Sequence, residues 1–308
     1  MKIEENVNLA KYTTYRIGGP ARYFTECKSE QEVVDVLAWA RDIAVPYFVL
    51  GGGSNVLVSD GGYDGLVLRM ANTEYSWDKN TVRAGAGASM ESLVNSSIES
   101  GFAGLEWAGG LPGQLGGALR GNAGAFGGEI KDIVKSVRAV SPEGKIRDFS
   151  KKECAFAYRI SIFKEKPGYI IISAELEFKK GNAEELRRIA DEKIEWRRAK
   201  HPMEYGNSGS IFKGVEPDKL PVSIKENYPE LERAMRDGNV AAAFFIDQAG
   251  LKLKRVGGAE VSNKHPNFLV NRTGSARAED VLMLASAVKS RVLQEFGVIL
   301  EEEVHYLT

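Results

Sequence analysis

Cysteine and histidine are scarce in this sequence of 308 residues, and the net charge is close to zero. The two cysteines, Cys27 and Cys154, are far apart and form no CxxC pair, so the sequence favours two buried thiols over a disulfide framework or a zinc knuckle. The three histidines form no HExxH pair, so a protein-built transition-metal site is not expected. The 41 basic and 42 acidic side chains leave a formal charge of -1, which gives no overall attraction to nucleic acid. Any anionic ligand must be held by local contacts.

Long apolar runs are missing as well. Residues 1–6 (MKIEEN) lack the apolar stretch of a signal peptide, and no run approaches the roughly 18 apolar residues of a membrane span. We therefore expect a cytoplasmic protein with no membrane partner. Apolar residues make up 43% and charged residues 27% of the chain, which is ordinary for a globular protein. At about 150 residues per domain, the length predicts about two domains.

Three segments have the signals of helices. A capping box that begins at Ser29 precedes an apolar face and predicts a helix over about 29–42. A second helix is predicted to start at Asn182 and to connect the domains. Apolar residues at steps of three and four predict a third helix that ends before Gly297, which suits a helix C-cap. Residues 301–308 are predicted to form a short tail.

Glycine is concentrated in one part of the chain, because 19 of the 33 glycines lie between residues 51 and 128. Residues 47–50 and 56–58 are predicted strands on either side of the glycine turn GGGSN at 51–55. A second cluster spans 109–127. Neither cluster is a GxGxxG or P-loop pattern, so the Rossmann and P-loop classes are not supported.

The two glycine clusters admit two interpretations. They could form only tight turns and close helix–sheet contacts, which is the usual explanation for a single glycine pair and the one we prefer for Gly61 and Gly62. Backbone N–H groups without a neighbouring Cβ can also converge on an anion. Because amide and hydroxyl side chains accompany both clusters, we favour the pyrophosphate of a dinucleotide as their ligand.

A series of sequence blocks resembles one enzyme family in order and spacing. The blocks are TYRIGGPA at 14–21, LGGGSNVL at 50–57, GLPG at 110–113 with GGA at 116–118 and NAGA at 122–125, YRISIF at 158–163, GSIFK at 209–213, AGLK at 249–252, VSNKH at 261–265 and LEEEV at 300–304. They span nearly the whole chain and resemble the UDP-N-acetylenolpyruvoylglucosamine reductase family, in its compact second type. Ile160 stands where the family often has Asp, and Gly214-Val215 stands where it often has Asn-Pro.

The resemblance implies an α+β fold. An FAD-binding domain of the vanillyl-alcohol-oxidase (PCMH) type would occupy 1–192, in subdomains of about 1–70 and 71–192. A smaller α+β substrate domain would occupy 193–308, with its tail returning to the active site. It also implies that NADPH and non-covalent FAD serve to reduce a UDP-sugar enol ether to UDP-N-acetylmuramate for peptidoglycan synthesis. The implied cofactor-binding residues are Gly51, Gly52, Gly53, Ser54, Asn55, Gly113, Gly116, Gly117, Asn122 and Gly124.

Three residues match the family's reacting side chains. Arg159 would stabilise negative charge on the substrate carboxylate, Ser210 would donate a proton, and Glu303 would act with Arg159. The alternatives are a surface ion pair for Arg159 and a turn serine for Ser210. Lys200 and Lys213 are candidate diphosphate partners, against an alternative as ordinary surface lysines.

Two other functions fit part of these observations. A different FAD enzyme of the same fold, such as an alcohol oxidase, would share the flavin motifs but not the blocks around Ser210 and Glu303. A nucleotide-binding module without catalysis would keep the glycine clusters, but it would have no use for Arg159 with a C-terminal carboxylate.

Overall fold

The computed structural model describes residues 2–166, 168–236 and 238–308. The helices are α1 (Glu30–Asp42), α2 (Met90–Glu99), α3 (Leu115–Arg120), α4 (Ile162–Glu165), α5 (Ala183–Lys200), α6 (Val222–Asn227), α7 (Ala242–Gln248) and α8 (Ala278–Phe296). Short 3₁₀ helices occur at Leu9–Tyr12, Glu106–Ala108, Ile130–Asp132, Pro217–Lys219 and Pro229–Ala234.

The strands follow in chain order. They are β1 (Glu4–Asn8), β2 (Pro20–Cys27), β3 (Tyr47–Leu50), β4 (Val56–Val58), β5 (Tyr63–Met70), β6 (Tyr75–Asp78), β7 (Thr81–Gly85), β8 (Phe102–Ala103), β9 (Gly124–Ala125), β10 (Gly128–Glu129), β11 (Val134–Val140), β12 (Ile146–Ser150), β13 (Ile170–Glu177), β14 (Lys179–Lys180), β15 (Met235–Arg236), β16 (Asn239–Val240), β17 (Arg255–Val256), β18 (Ala259–Val261), β19 (Leu269–Asn271) and β20 (His305–Leu307).

The chain divides into two compact units that are not contiguous in sequence. Unit 1 comprises Met1–Val7, Ala21–Gly52 and Asp64–Trp196, and unit 2 comprises Asn8–Pro20, Gly53–Tyr63 and Arg197–Thr308. One division falls inside the glycine turn, between Gly52 and Gly53, and the last falls inside α5. The assignment of the cofactor to 1–192 and the substrate to 193–308 stays a prediction.

Unit 1 contains two main sheets. The strand order is β1-β2-β5-β3 in one sheet, where β3 and β5 are parallel, and β12-β11-β13-β7-β6 in the other, where neighbours are antiparallel. Helix α1 buries Val33, Val36, Leu37 and Ala40 in the apolar core, and α3 lies against β7 and β13. Full burial of a valine or leucine side chain contributes roughly 1.5–3 kcal/mol. Both cysteines are buried in this core, and burial raises the pKa of each thiol to about 12.

Unit 2 has a separate core around α8. This helix packs on the antiparallel sheet β17-β18-β19 and on α7, and it buries a stripe of residues at helical spacing. The stripe comprises Val281, Leu284, Ala285, Val288, Val292 and Phe296. The predicted tail contains a strand, because β20 pairs in parallel with β4 so that His305 lies opposite Val56 and Leu307 opposite Val58.

The helix ends agree with the sequence signals. The Ser29 hydroxyl accepts a hydrogen bond from Glu32 N (3.2 Å) at the start of α1, and Asn182 Oδ1 accepts one from Glu185 N (3.0 Å) at the start of α5. These contacts satisfy backbone donors that a helix start leaves without partners. Gly297 ends α8 with a left-handed φ of 65°. Among the described residues, no helix is both long and apolar enough to cross a membrane.

Candidate active site

Two glycine loops of unit 1 approach each other backbone to backbone. A Cβ on Gly52 would lie 2.9 Å from Gly113 Cα, a separation that real Cβ atoms do not show. Gly113 has a φ of 109°, which favours glycine. Within the described part of the chain, the N–H groups of Gly52 and Gly113 have no hydrogen-bond partner. These two loops therefore combine close backbone approach with available donors, as an anion site requires.

The segment that follows Gly113 opens helix α3. Gly116 N donates to Ala86 O (2.8 Å), and a Cβ at Gly116 would lie 3.0 Å from Ala86 Cβ, so this glycine permits close packing. Gly117 differs, because nothing described lies within 4 Å of its Cβ position. The side-chain oxygen of Gln114 is buried, has no hydrogen-bond partner among the residues that the structure describes, and lies 3.5 Å from the Cβ position of Gly51. An unpartnered buried acceptor is unfavourable unless a ligand supplies a donor.

The remaining residues of the GGGSN turn belong to unit 2. Gly53 has a φ of 65°, and a Cβ there would lie 2.0 Å from Tyr12 O, so the backbone alone requires glycine. Asn55 Nδ2 donates to Glu303 O (3.3 Å), and Asn55 O accepts from His305 N (3.2 Å). These two hydrogen bonds hold the C-terminal segment against Asn55. The neighbouring Ser54 is partly exposed.

Asn122 supports the turn that carries Arg159. Its buried amide nitrogen donates to Ala157 O (2.9 Å) and Glu129 Oε1 (3.2 Å), while its oxygen accepts from Lys131 N (3.2 Å). Both amide hydrogens are thus used inside the protein. The side chain of Asn122 therefore contacts neighbouring segments of unit 1, and the role of Asn122 in cofactor binding stays a prediction.

Arg159 lies at the tip of this turn in a left-handed conformation with a φ of 57°, which is unusual for a residue with a Cβ. Ala157 and Ile160 close the turn through two backbone hydrogen bonds of 3.1 Å. The guanidinium donates from Nη2 to Gly124 O (3.0 Å) and lies 4.9 Å from the ring centre of Tyr158. A Cβ on Gly124 would lie 2.8 Å from Glu129 Cγ, closer than real Cβ atoms approach, so this position favours glycine. Arg159 and Gly124, both predicted from sequence, are therefore adjacent.

Ser210 lies in unit 2 at the start of an extended segment. Asn207 Oδ1 accepts from Gly209 N (3.0 Å), so Asn207 stabilises the preceding turn. The Ser210 hydroxyl has no hydrogen-bond partner among residues 2–166, 168–236 and 238–308, and its side chain is partly exposed. The alternative of a turn serine bonded to its own backbone is not observed.

Glu303 is adjacent to the Ser210 segment. Glu303 N donates to Ile211 O (2.7 Å), and Phe212 pairs antiparallel with Glu302. Two of the three predicted reacting residues therefore lie on neighbouring extended segments of one unit. Lys289 Nζ contacts Glu302 Oε1 at 3.1 Å, so this carboxylate has an ion-pair partner.

The two predicted diphosphate lysines have different surroundings. Lys213 forms an ion pair with Glu301 (3.1 Å), and this hydrogen bond with Lys213 is the main cause that lowers the pKa of the Glu301 carboxyl. Lys200 is exposed at the end of α5. Their role in substrate binding stays a prediction.

The histidine cluster was not predicted from the sequence. The rings of His201 and His265 meet edge to face at 5.3 Å, and both rest on Phe268. Burial lowers the pKa of His201 to about 3 and that of His265 to about 4, so both are neutral near pH 7. They therefore supply no positive charge for a diphosphate. The two histidines are 64 positions apart in the sequence, so no local pattern indicated that their rings would meet.

Two family profiles match the chain. The profile described as UDP-N-acetylenolpyruvoylglucosamine reductase, C-terminal domain, matches residues 201–307, and the profile described as FAD binding domain matches residues 21–150. The observed helices and sheets agree with the predicted α+β fold, in which an FAD-binding domain of the vanillyl-alcohol-oxidase (PCMH) type is followed by a smaller α+β domain.

Similar proteins extend over the full chain. The chain is 38% identical to UDP-N-acetylenolpyruvoylglucosamine reductase of Clostridioides difficile (strain 630), with 100% of this chain and 93% of the relative covered. It is 39% identical to the protein of that name from Lachnoclostridium phytofermentans, covering 98% of this chain and 92% of the relative. A crystal structure of UDP-N-acetylenolpyruvylglucosamine reductase from Thermus caldophilus is similar with a TM-score of 0.79 at 33% identity, over 100% of both chains. The chain therefore belongs to the UDP-N-acetylenolpyruvoylglucosamine reductase family.

Proposed function

We propose that this protein reduces the enolpyruvyl ether of UDP-N-acetylglucosamine to UDP-N-acetylmuramate, a step in peptidoglycan precursor synthesis. The full-length similarity to reductases of that name supports the reaction. The observation that supports the site best is the hydrogen bond from Glu303 N to Ile211 O (2.7 Å), because it joins the C-terminal carboxylate segment to the segment that begins with Ser210. An alcohol oxidase or a passive nucleotide-binding module would not need Ser210 and Glu303 on adjacent segments.

The glycine loops of unit 1 fit FAD. Within the described ranges, the N–H groups of Gly52 and Gly113 have no partner, Gly117 borders open space, and the buried side-chain oxygen of Gln114 lacks a donor. When bound there, FAD supplies two-electron redox chemistry. We propose that the loops at Gly51–Gly52 and Gly113–Gly117 bind its pyrophosphate, and that NADPH is the reductant. We place the reaction in the cytoplasm, where reduced nicotinamide and nucleotide sugars are available.

The protein's own side chains would then control charge and proton transfer. Addition of hydride to the methylene carbon leaves negative charge on the carbon that bears the carboxylate and on its oxygens. We propose that Arg159 stabilises this charge, because a planar guanidinium matches the fork of a carboxylate. Ser210 Oγ would donate the proton that completes the reduction, and Glu303 would act with Arg159 at the carboxylate. Lys200 and Lys213 are proposed diphosphate contacts.

A turnover assay tests this function. Purified protein reconstituted with FAD is expected to oxidise NADPH only when the enolpyruvyl nucleotide sugar is present, and to form UDP-N-acetylmuramate in equal amount. NADPH consumption and product can be followed by absorbance and chromatography. Oxidation of an alcohol with oxygen, without reduction of the enol ether, would indicate the alternative oxidase. Ligand binding without any turnover would indicate the passive module.

The first prediction concerns the cofactor itself. We expect the purified protein to be yellow and to release intact FAD on acid precipitation, because both cysteines are buried with raised thiol pKa values that disfavour the thiolate needed for attachment. Chromatography of the supernatant identifies the flavin. Colour that stays in the washed pellet would contradict non-covalent binding, and a protein that takes up no flavin on reconstitution would contradict the proposed cofactor.

A second prediction concerns Gln114→Leu, which removes the buried amide at nearly constant volume. We expect the dissociation constant for FAD to rise by roughly 3- to 10-fold, the scale of one neutral hydrogen bond. Quenching of flavin fluorescence during titration measures this constant without turnover. Gln31→Leu is the matched control, because Gln31 is exposed on α1 and its side chain hydrogen-bonds to Asp35 alone among the described residues. Equal FAD affinity in both variants would show that Gln114 does not contact the cofactor.

A further inference from the structure

The extended segment that begins at Ser210 is held along both edges. On one edge it meets the C-terminal segment, where Glu303 N donates to Ile211 O (2.7 Å) and Lys213 N donates to Glu301 O (2.9 Å). These contacts leave the other edge with polar backbone groups that also require partners, since Ile211 and Phe212 are buried.

Asn267 supplies the partners on the second edge. Its backbone oxygen accepts from Ile211 N (2.9 Å), its side-chain Oδ1 accepts from Phe212 N (3.0 Å), and its Nδ2 donates to Phe212 O (2.8 Å). The side-chain amide of Asn267 thus takes the place of the backbone N–H and C=O that a neighbouring strand would supply. This role requires one donor and one acceptor in a planar fork. Asparagine provides this fork at the required length. Asn267 is only 5% exposed, so water cannot easily replace it.

We infer that Asn267 is the positioning residue of the Ser210 hydroxyl, an inference that rests on the proposed function. Ser210 precedes Ile211 directly, so the three hydrogen bonds of Asn267 determine the path of the backbone from which the hydroxyl projects. Loss of the fork leaves Phe212 N or O without a partner and lets the segment shift. A displacement of about 1 Å at a reacting group lowers turnover by about 100-fold.

The variant Asn267→Asp tests the inference through its pH dependence. An ionised carboxylate still accepts from Phe212 N, but its second oxygen repels Phe212 O. A protonated carboxyl can donate there and restore the fork. Burial beside a carbonyl oxygen raises the pKa of the introduced carboxyl above its ordinary value. Below that pKa the variant can make both hydrogen bonds to Phe212, and above it the bond to Phe212 O is lost. The kcat of the variant therefore falls as the pH rises.

At the pH optimum of the wild type, we expect kcat for reduction of the enol ether to fall by at least about tenfold in Asn267→Asp, with KM within about twofold of wild type. As the pH is lowered, the kcat ratio of variant to wild type should rise toward one. The rate at which NADPH bleaches the yellow colour should not change. All rates are normalised to bound FAD, which removes any effect of unfolded protein.

Asn271→Asp is the matched control. Asn271 belongs to the same unit, is 3% exposed, and also uses its side chain in two backbone hydrogen bonds, to Tyr15 O (3.3 Å) and from Ala276 N (3.0 Å). The control should lose similar stability in thermal unfolding but keep its kcat per bound FAD. It should also show no recovery at low pH.

The outcomes separate the inference from the function on which it rests. If wild type fails to reduce the enol ether, the proposed function is wrong. If wild type turns over while Asn267→Asp keeps its kcat, or loses it only as much as Asn271→Asp does, the positioning role is wrong. Should Asn267→Asp not fold, Asn267→Ser leaves space for a water. Its kcat should then fall by at least about tenfold at every pH with KM unchanged, and a wild-type kcat would overturn the inference.

Discussion

Ser210→Ala is expected to slow one half of the reaction and leave the other intact. Transfer of hydride from NADPH involves no substrate carbanion, so NADPH should bleach the colour of the variant at close to the wild-type rate. Recovery of the colour on addition of the enolpyruvyl nucleotide sugar should slow by roughly 100-fold or more, because the proton that completes the reduction has lost its positioned donor. Stopped-flow absorbance measures both rates on one sample.

Two further variants define the role of the hydroxyl. Ser210→Cys restores a donor at the same place and should recover part of the lost rate. Ser208→Ala is the matched control, since the Ser208 hydroxyl is buried two residues away and has no hydrogen-bond partner in the described part of the chain. Its removal should leave both rates unchanged. Normal recovery of colour in Ser210→Ala would mean that water or another residue supplies the proton. Slowing of both halves together would mean that Ser210 holds the structure of the site.

Local signals predicted the helices well because each depends on residues within one or two turns. Ser29 with Glu32 fixed the start of α1, Asn182 the start of α5 and Gly297 the end of α8. The glycine turn between β3 and β4 was predicted for the same reason. What the local signals did not reveal is that this turn joins the two units, since β4 pairs with β20 near the other end of the chain.

The site depended on contacts that are distant in sequence. Ser210 and Glu303 were predicted only through resemblance to a family, and no periodicity brings together residues that are 93 positions apart. Asn267 was missed because its partner Phe212 is 55 positions away and an asparagine after His265-Pro266 reads as an ordinary loop residue. Gln114 is one of the amide side chains that accompany the second glycine cluster, but the sequence did not show that its oxygen is buried with no partner among the described residues. The hydrogen bonds of the folded chain are what indicate the role of Asn267.

Arg159→Lys is expected to lower the rate of enol ether reduction by at least about tenfold while flavin binding and folding survive, because the charge remains but the planar fork is lost. In this structure the guanidinium donates to Gly124 O (3.0 Å) from a turn with a left-handed residue at its tip, so its direction is set by the backbone. A lysine ammonium carries its three N–H donors on one atom, so it cannot bind this carbonyl and both oxygens of a carboxylate in the planar geometry of a guanidinium. Steady-state kinetics with the enolpyruvyl nucleotide sugar measure the loss.

The control for this variant is Arg138→Lys in the same unit. Arg138 is a structural ion-pair residue that contacts Glu30 (2.6 Å) and Asp148 (2.9 Å), so its replacement should change stability slightly and turnover not at all. If Arg159→Lys behaves like Arg138→Lys, then Arg159 is also structural and the charge on the substrate carboxylate is stabilised elsewhere. If Arg159→Lys raises KM without changing kcat, the guanidinium binds substrate and transition state equally. The proposed role requires that kcat itself falls, because a contact that strengthens as charge develops lowers the barrier and not only the binding energy.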